Sequence, residues 1–373
     1  VPLLILAFLA FIGLGLPASL PGTVWPELRP HFDVPHAALG LLLAARAAGH
    51  LAAAILAGRA LQWLGIATLL SAGIALIAST VLGQALAPGW AVFMLLALLA
   101  GFAGGAVDSA LNTFVALRFA PRHLNWLHAC WGLGAALGPG LATVLLAAGA
   151  GWQASYLAVG ALLAALALVF VATRGQWRMQ VAGLDGPPLP ALSALRQPMV
   201  RRRILVFFLL AGAEVSSGQW AATVLADSRG ASPAVAAGAA TLFWAVMALG
   251  RVGMGLVVDR IGAERLLAIA APAAVIAALG FALAQRGADL VALGLLALAF
   301  APLFPTLVAR TPALLGAATA VHAMGFQVAA ATLGVAVLPA LVGLAVERFG
   351  AEAAPVIVAG LVALLAVLLR RAR

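Results

Sequence analysis

The chain of 373 residues is 65% hydrophobic and only 9% charged, with a mean hydropathy of +1.14. Soluble domains carry about 25% charged residues, so this composition excludes a soluble protein and leaves a polytopic membrane protein. The net charge of +10 would suggest nucleic acid in a soluble chain, but its distribution follows membrane topology, and no nucleic-acid partner is expected.

Continuous apolar runs of about 20 residues, rather than alternating ones, imply helices and not a β-barrel. Twelve are read, at 3–27, 37–58, 66–87, 90–117, 126–149, 153–173, 203–226, 233–258, 265–285, 289–309, 314–345 and 352–370. They leave short connections, one longer loop and no soluble domain. Val1 opens an apolar stretch without a preceding basic run, so no cleavable signal is expected; with no initiator Met, the sequence reads as trimmed. All 21 basic residues are Arg. With the N-terminus in the cytoplasm, fifteen fall on the cytoplasmic side, among them Arg59, Arg118, Arg122, Arg174, Arg178, Arg201, Arg202, Arg203, Arg371 and Arg373. Four face outward (Arg29, Arg229, Arg286, Arg348), and Arg46 and Arg251 lie within spans. The positive-inside rule then places both termini in the cytoplasm of a multi-pass cell-membrane protein, in a bacterium the inner membrane. A single Cys130 excludes an internal disulfide and a cysteine metal site. Neither Asn112 nor Asn125 sits in a glycosylation sequon.

In chain order, span two carries Arg46 and His50 one turn apart. Intramembrane arginines are paired or face water, and a histidine can exchange a proton near neutral pH. On span four, Gly101, Gly105, Asp108 and Asn112 are spaced 4, 3 and 4, one helical stripe. The glycines permit close helix approach, and the acid and amide share a face suited to a proton and a hydroxylated ligand. The alternative is a structural acid bonded across helices. Span five places His128, Gly132, Ala135 and Pro139 on one stripe and continues Gly134-Ala-Ala-Leu-Gly138-Pro139-Gly140. Small residues with proline also suit any tightly packed membrane helix.

The stretch 174–202, rich in Gly, Pro and Arg, reads as a cytoplasmic linker between a six-helix bundle at 1–173 and a second at 203–373. Span seven brings Glu214, Ser217 and Gly218 to one face with Gln219 and Trp220 beside it. An aromatic plate next to an amide and a hydroxyl suits a sugar; Trp220 at the headgroup belt and Glu214 paired with an Arg are the structural readings. Trp244 and Arg251 share span eight. Asp108 with Arg46 and Glu214 with Arg251 are candidate ion pairs. His128 and His322, and Gln327 on span eleven, are further candidates at the entrance and site. Span eleven holds Gly334 and Pro339 and is expected to bend. The halves also repeat: Gly255…Asp259-Arg260-Ile-Gly262 matches Gly58…Gln62-Trp63-Leu-Gly65 at an offset of 197, His322 matches His128 at 194, and Trp220 faces Trp25 near 196.

The loop after span eight, Gly255, Asp259, Arg260, Gly262 and Arg265, resembles the signature of the major facilitator superfamily; its copy after span two keeps Gly58 and Gly65 but has Gln62 for the acid. The segments Gly105 to Asn112, Leu127 to Gly132, Ala213 to Trp220 and Phe243 to Arg251 resemble its fucose:proton symporter and sodium-dependent glucose transporter branch. Gly134 to Gly140 also resembles a motif of proton-coupled drug antiporters in the same superfamily. The resemblance implies an all-α membrane protein of 12 transmembrane helices in two pseudo-symmetric six-helix bundles that rock about a midplane site. In the resembled branch an acid at the Asp108 position is implicated in proton-coupled sugar transport. The expectation is a monomeric secondary transporter for a small polar solute such as a monosaccharide, coupled to protons, with sodium open. Asp108, Glu214, Arg46, His50 and Arg251 would handle the proton. Asn112, Gln219, Trp220, Trp244, Gln327 and His128 would meet substrate, and the Gly255–Arg265 loop would gate. Alternatives are efflux of amphipathic compounds by antiport and a non-transporting receptor on this scaffold. No metal, nucleophilic or phosphate-loop motif appears, so neither enzyme activity nor a cofactor is expected.

Overall fold

The structure is a computed structural model that describes residues 3–18, 20–35, 38–177, 191–231, 233–284 and 287–370. Residues 178–190 of the expected linker, together with Arg178, Arg286, Arg371 and Arg373, lie outside the described residues. The described elements are helices: α1 (Leu3–Gly15), α2 (Leu20–His31), α3 (Ala38–Ala85), α4 (Trp90–Arg118), α5 (Pro121–Ala147), α6 (Gly151–Thr173), α7 (Ala191–Arg196), α8 (Pro198–Thr223), α9 (Pro233–Ile261), α10 (Ala263–Leu283), α11 (Ala288–Phe300), α12 (Leu303–Leu315), α13 (Ala317–Phe349) and α14 (Ala353–Arg370).

Eleven segments among the described residues are long and apolar enough to cross a membrane. One of them, α3, is 48 residues long. At about 1.5 Å per residue it reaches roughly 70 Å, more than twice a hydrocarbon core of about 30 Å. It turns at Gly65 (φ 72°, ψ 161°), a conformation essentially reserved for glycine. Counted as two crossings, α3 brings the spans to the twelve read from the sequence. The protein is an all-α membrane protein.

The structure differs from the expected spans at four places, each with a local cause. The first span is two helices, interrupted at the described residues 16–18, because Pro17 has no N–H and restricts the residue before it. Residues 59–64 continue α3 rather than forming a loop. The tenth span divides at Ala301-Pro302 into α11 and α12. The eleventh, α13, starts at Ala317 and continues past 345 to Phe349 as one helix that includes Gly334 and Pro339, and Gly334 seats against Phe208.

The chain divides into two compact units: residues 1–118, 127–191 and 316–329 form the first, and 119–126, 192–315 and 330–373 the second. Each is held by glycines that admit a neighbour's backbone. In the first, a methyl group added to Gly101 would lie 2.0 Å from the Arg46 carbonyl oxygen, one on Gly105 2.5 Å from that of His50, and one on Gly49 2.0 Å from that of Leu98. These contacts lock α3 against α4. Likewise Gly15, Gly134 and Gly138 lock α1 against α5. In the second unit, Gly212 meets Gly334 and Leu338, and Gly334 meets Phe208, which locks α8 against α13.

The internal repeat is visible in these contacts. Gly15 and Gly212 are 197 residues apart, Gly138 and Gly334 are 196 apart, and each pair does the same work in its own unit. Gly65 also has its counterpart 197 residues on, in Gly262 (φ 84°, ψ 151°), which separates α9 from α10. In the second unit Arg229 gathers the ends of several elements: its side chain is 4% exposed, binds Glu352 at 2.8 Å and approaches Asp289 at 3.5 Å. It also donates to the carbonyls of Ala284 and Phe281. The bond to Glu352 first, and then Asp289, hold its guanidinium above the usual arginine range against the opposing effect of burial.

Candidate functional site

The α3–α4 lock sets the register of the first unit's polar cluster. Because Gly101 seats on Arg46 and Gly105 on His50, the next polar residue of α4, Asp108, arrives opposite His50 rather than Arg46. Its Oδ2 lies 3.6 Å from His50 Nε2, with the two side chains 20% and 27% exposed. Asp108 therefore does not pair with Arg46; the expected pairing is replaced by a histidine, and Arg46 donates to the carbonyl of Pro17. Asn112, one turn on, donates Nδ2–H to Asp108 Oδ1 at 2.8 Å and to the Asp108 carbonyl at 3.0 Å. With its amide nitrogen so committed, its Oδ1 faces His128 Nε2 at 3.1 Å. That geometry asks the imidazole to donate from Nε2. Phe11 abuts the His128 ring at 5.5 Å, edge on, and Asn112 is buried. His50, Asp108, Asn112 and His128 thus form one chain of contacts across α3, α4 and α5, with an accessible carboxylate in its middle.

The second unit holds its acid differently. Arg251 Nη2 donates to Glu214 Oε1 at 2.9 Å, and the side chains are 11% and 10% exposed. The charge of each neutralises the other, as expected for this pair, although Arg251 Nε is buried without a partner among the described residues. Ser217, on the same face of α8, spends its hydroxyl on the Ala213 carbonyl. Gln219 is exposed. Trp220 donates its indole N–H to the Pro339 carbonyl at 3.1 Å and covers Gly343, so it ties α8 to α13. Trp244 stands edge-on to Phe243 at 5.2 Å and lies over Gly218. Gln327 is fully buried in the segment of α13 that belongs to the first unit. There His322 fills the space left by Gly58, and Gly325 seats on the Ala54 carbonyl.

Of the five signature residues, Gly255 is buried, Asp259 forms an exposed ion pair and Gly262 sits at the turn. Gly255 makes room for the Trp126 indole, whose N–H donates to the Val252 carbonyl at 3.2 Å. Asp259 accepts from Arg122 at 2.7 Å, which clasps the start of α5 to the end of α9. Gly262 supplies the turn, while Arg260 and Arg265 are exposed. Arg122 had no distinguishing signal in the sequence beyond being one cytoplasmic arginine among fifteen. Gln84 and Tyr156, which share a cleft with Arg46, were also missed; that Tyr156 is the only tyrosine in the chain was the available hint. Among the described residues no group of three or more His, Cys, Asp or Glu is arranged to hold a metal.

Residues 3–328 match the family profile of the Major Facilitator Superfamily. No curated protein sequence matches the chain. Among solved structures, the outward conformation of the transporter FucP is similar with a TM-score of 0.84 and 18% identity, covering 100% of this chain and 99% of that one. The proton:xylose symporter XylE, bound to 6-bromo-6-deoxy-D-glucose, is similar at 0.80 and 15% identity, covering 99% and 94%. The human organic anion transporter MFSD10 is similar at 0.76 and 19%, covering 98% of each chain. At these identities the structures report the fold alone. With the family match over most of the chain, the repeated glycine contacts and the clasp at Asp259, the chain belongs to the Major Facilitator Superfamily, whose members carry small-molecule solutes across membranes and are not enzymes.

Proposed function

We propose that the protein is a proton-coupled symporter of a small polar solute, a monosaccharide, working by alternating access. The observation that carries this reading is the contrast between the two membrane acids. Glu214 is matched by Arg251 in a buried ion pair, which resists a change of charge. Asp108 is partly accessible and, among the described residues, its carboxylate touches a histidine and a neutral amide, so it can accept a proton without breaking an arginine bridge. His50 beside it can pass or share that proton, and His128 holds the far side of Asn112. In the same reading Asn112, Gln219, Trp220, Trp244 and Gln327 recognise the solute, and the Arg122–Asp259 clasp with the Gly255–Arg265 loop gates it. The molecule works as a monomer in a bacterial inner membrane with both termini in the cytoplasm. The fold shared with a fucose:proton symporter and a proton:xylose symporter supports this reading.

The test is the direction of proton movement. In proteoliposomes of inward-matched orientation, addition of L-fucose, D-xylose or D-glucose should alkalinise the outside medium, and replacing sodium by choline should leave the effect intact. Acidification marks antiport, and dependence on sodium moves the carboxylate and amide oxygens to a different cation. Absence of any flux or solute-dependent change in thermal stability returns the non-transporting scaffold.

A further inference from the structure

Arg46 is the membrane-embedded charge that the site above leaves without a counter-charge. An arginine at the centre of a spanning helix costs about 2.5–3.5 kcal/mol on insertion scales unless water or an anion meets it. Its guanidinium offers five N–H donors, of which one goes to the Pro17 carbonyl at 2.5 Å. Among the described residues no Asp or Glu pairs with it. Arg46 lines a small cleft within the first unit, together with Pro17, Gln84, Ala97, Ala100 and Tyr156. Tyr156 is 2% exposed, and its hydroxyl has no hydrogen-bond partner among the described residues, although a buried tyrosine normally finds one. Its ring is held edge-on by Phe93 at 5.6 Å and Trp152 at 5.7 Å, so packing alone fixes where the hydroxyl sits. Gln84, also buried, adds an amide to the same wall.

We propose that this cleft binds a compact anion, either the carboxylate of a solute or a free halide. The anion pairs with Arg46 and accepts hydrogen bonds from the Tyr156 hydroxyl and the Gln84 amide. Water could satisfy the hydroxyl and the amide but would leave the guanidinium charge uncompensated. The site is separate from Asp108, yet Arg46 precedes His50 by one turn of α3. A bound anion therefore adjoins the Asp108 cluster without sharing its residues, and the proposal stands whether or not the transported solute is a monosaccharide.

The test is thermal unfolding of the purified full-length protein in detergent at fixed ionic strength and fixed sodium. Sodium chloride, acetate or glucuronate replaces the salt of a bulky sulfonate buffer in each series. A saturable rise in Tm is expected for at least one anion. A response to chloride identifies a free halide; one to acetate or glucuronate without chloride identifies a solute carboxylate. Arg46→Gln should abolish the response. Tyr156→Phe removes a hydroxyl that has no partner among the described residues, so its Tm without anion should stay near wild type. Its half-saturating anion concentration should rise about tenfold, the loss of one hydrogen bond to a charged group. A wild-type protein with no anion-specific rise, or a rise of equal midpoint in the wild type and Tyr156→Phe, overturns the proposal.

Discussion

Replacing Glu214 by Leu leaves Arg251 charged with nothing to meet it. Its Nη2 loses the partner at 2.9 Å, its Nε already has none among the described residues, and its side chain is 11% exposed. Breaking one side of a buried pair typically costs about 3–5 kcal/mol, because the remaining charge stays buried. Arg251→Met is milder, since a lone carboxyl can shed its charge by taking a proton. Glu214→Leu with Arg251→Met replaces the pair by apolar side chains and should return to within about 1 kcal/mol of wild type. Equilibrium unfolding in mixed dodecyl sulfate and maltoside micelles, followed by tryptophan fluorescence, measures all four corners of the cycle. The reasoning fails if Glu214→Leu costs less than about 1 kcal/mol, or if the double variant costs the sum of the singles within about 0.5 kcal/mol.

Two further perturbations separate packing from gating. Gly101→Ala places a methyl group 2.0 Å from the Arg46 carbonyl oxygen, whereas the same change at Gly104 meets nothing nearer than Leu14 at 3.9 Å. The first should therefore lose about 1–3 kcal/mol in the same unfolding assay and the second should be near neutral; equal losses contradict the α3–α4 lock. Arg122→Gln and Asp259→Asn break a clasp whose side chains are 43% and 28% exposed, so each should change stability by less than about 1 kcal/mol. Both should change the rate of counterflow in proteoliposomes by a similar factor, and the double variant by no more than either. Additive rate effects show that the two residues act separately.

Much of the fold was legible because its signals are local. Hydropathy gave the crossings, and the glycine spacing on span four gave the face that packs on α3. The offset of 197 that relates Gly65 to Gly262 revealed the internal repeat, and both glycines take a similar positive-φ conformation. The grouping of Asp108 with Asn112 follows from helical periodicity alone, whereas the need of each buried charge for a partner suggested Glu214 with Arg251 and Asp108 with Arg46 alike, and only the first pair forms. What the sequence hid depends on the register between helices. His50, not Arg46, meets Asp108 because Gly105 rather than Gly101 is the nearer seat, and no periodicity within one helix reveals that. The cleft around Arg46 draws its walls from the break at Pro17, α2, α3, α4 and α6, five stretches with no shared spacing. Arg122 was indistinguishable from the other basic residues until its distance to Asp259 could be seen.

Whether Asp108 takes up the proton that drives transport is tested most directly by comparing two modes of one variant. In proteoliposomes containing Asp108→Asn, uptake of a labelled monosaccharide against its gradient, driven by an imposed pH gradient, should be lost. Counterflow exchange of the same sugar, which needs no net proton movement, should persist within a few-fold of wild type. Uphill accumulation at the wild-type rate in that variant would remove the carboxylate between His50 and Asn112 from the coupling step.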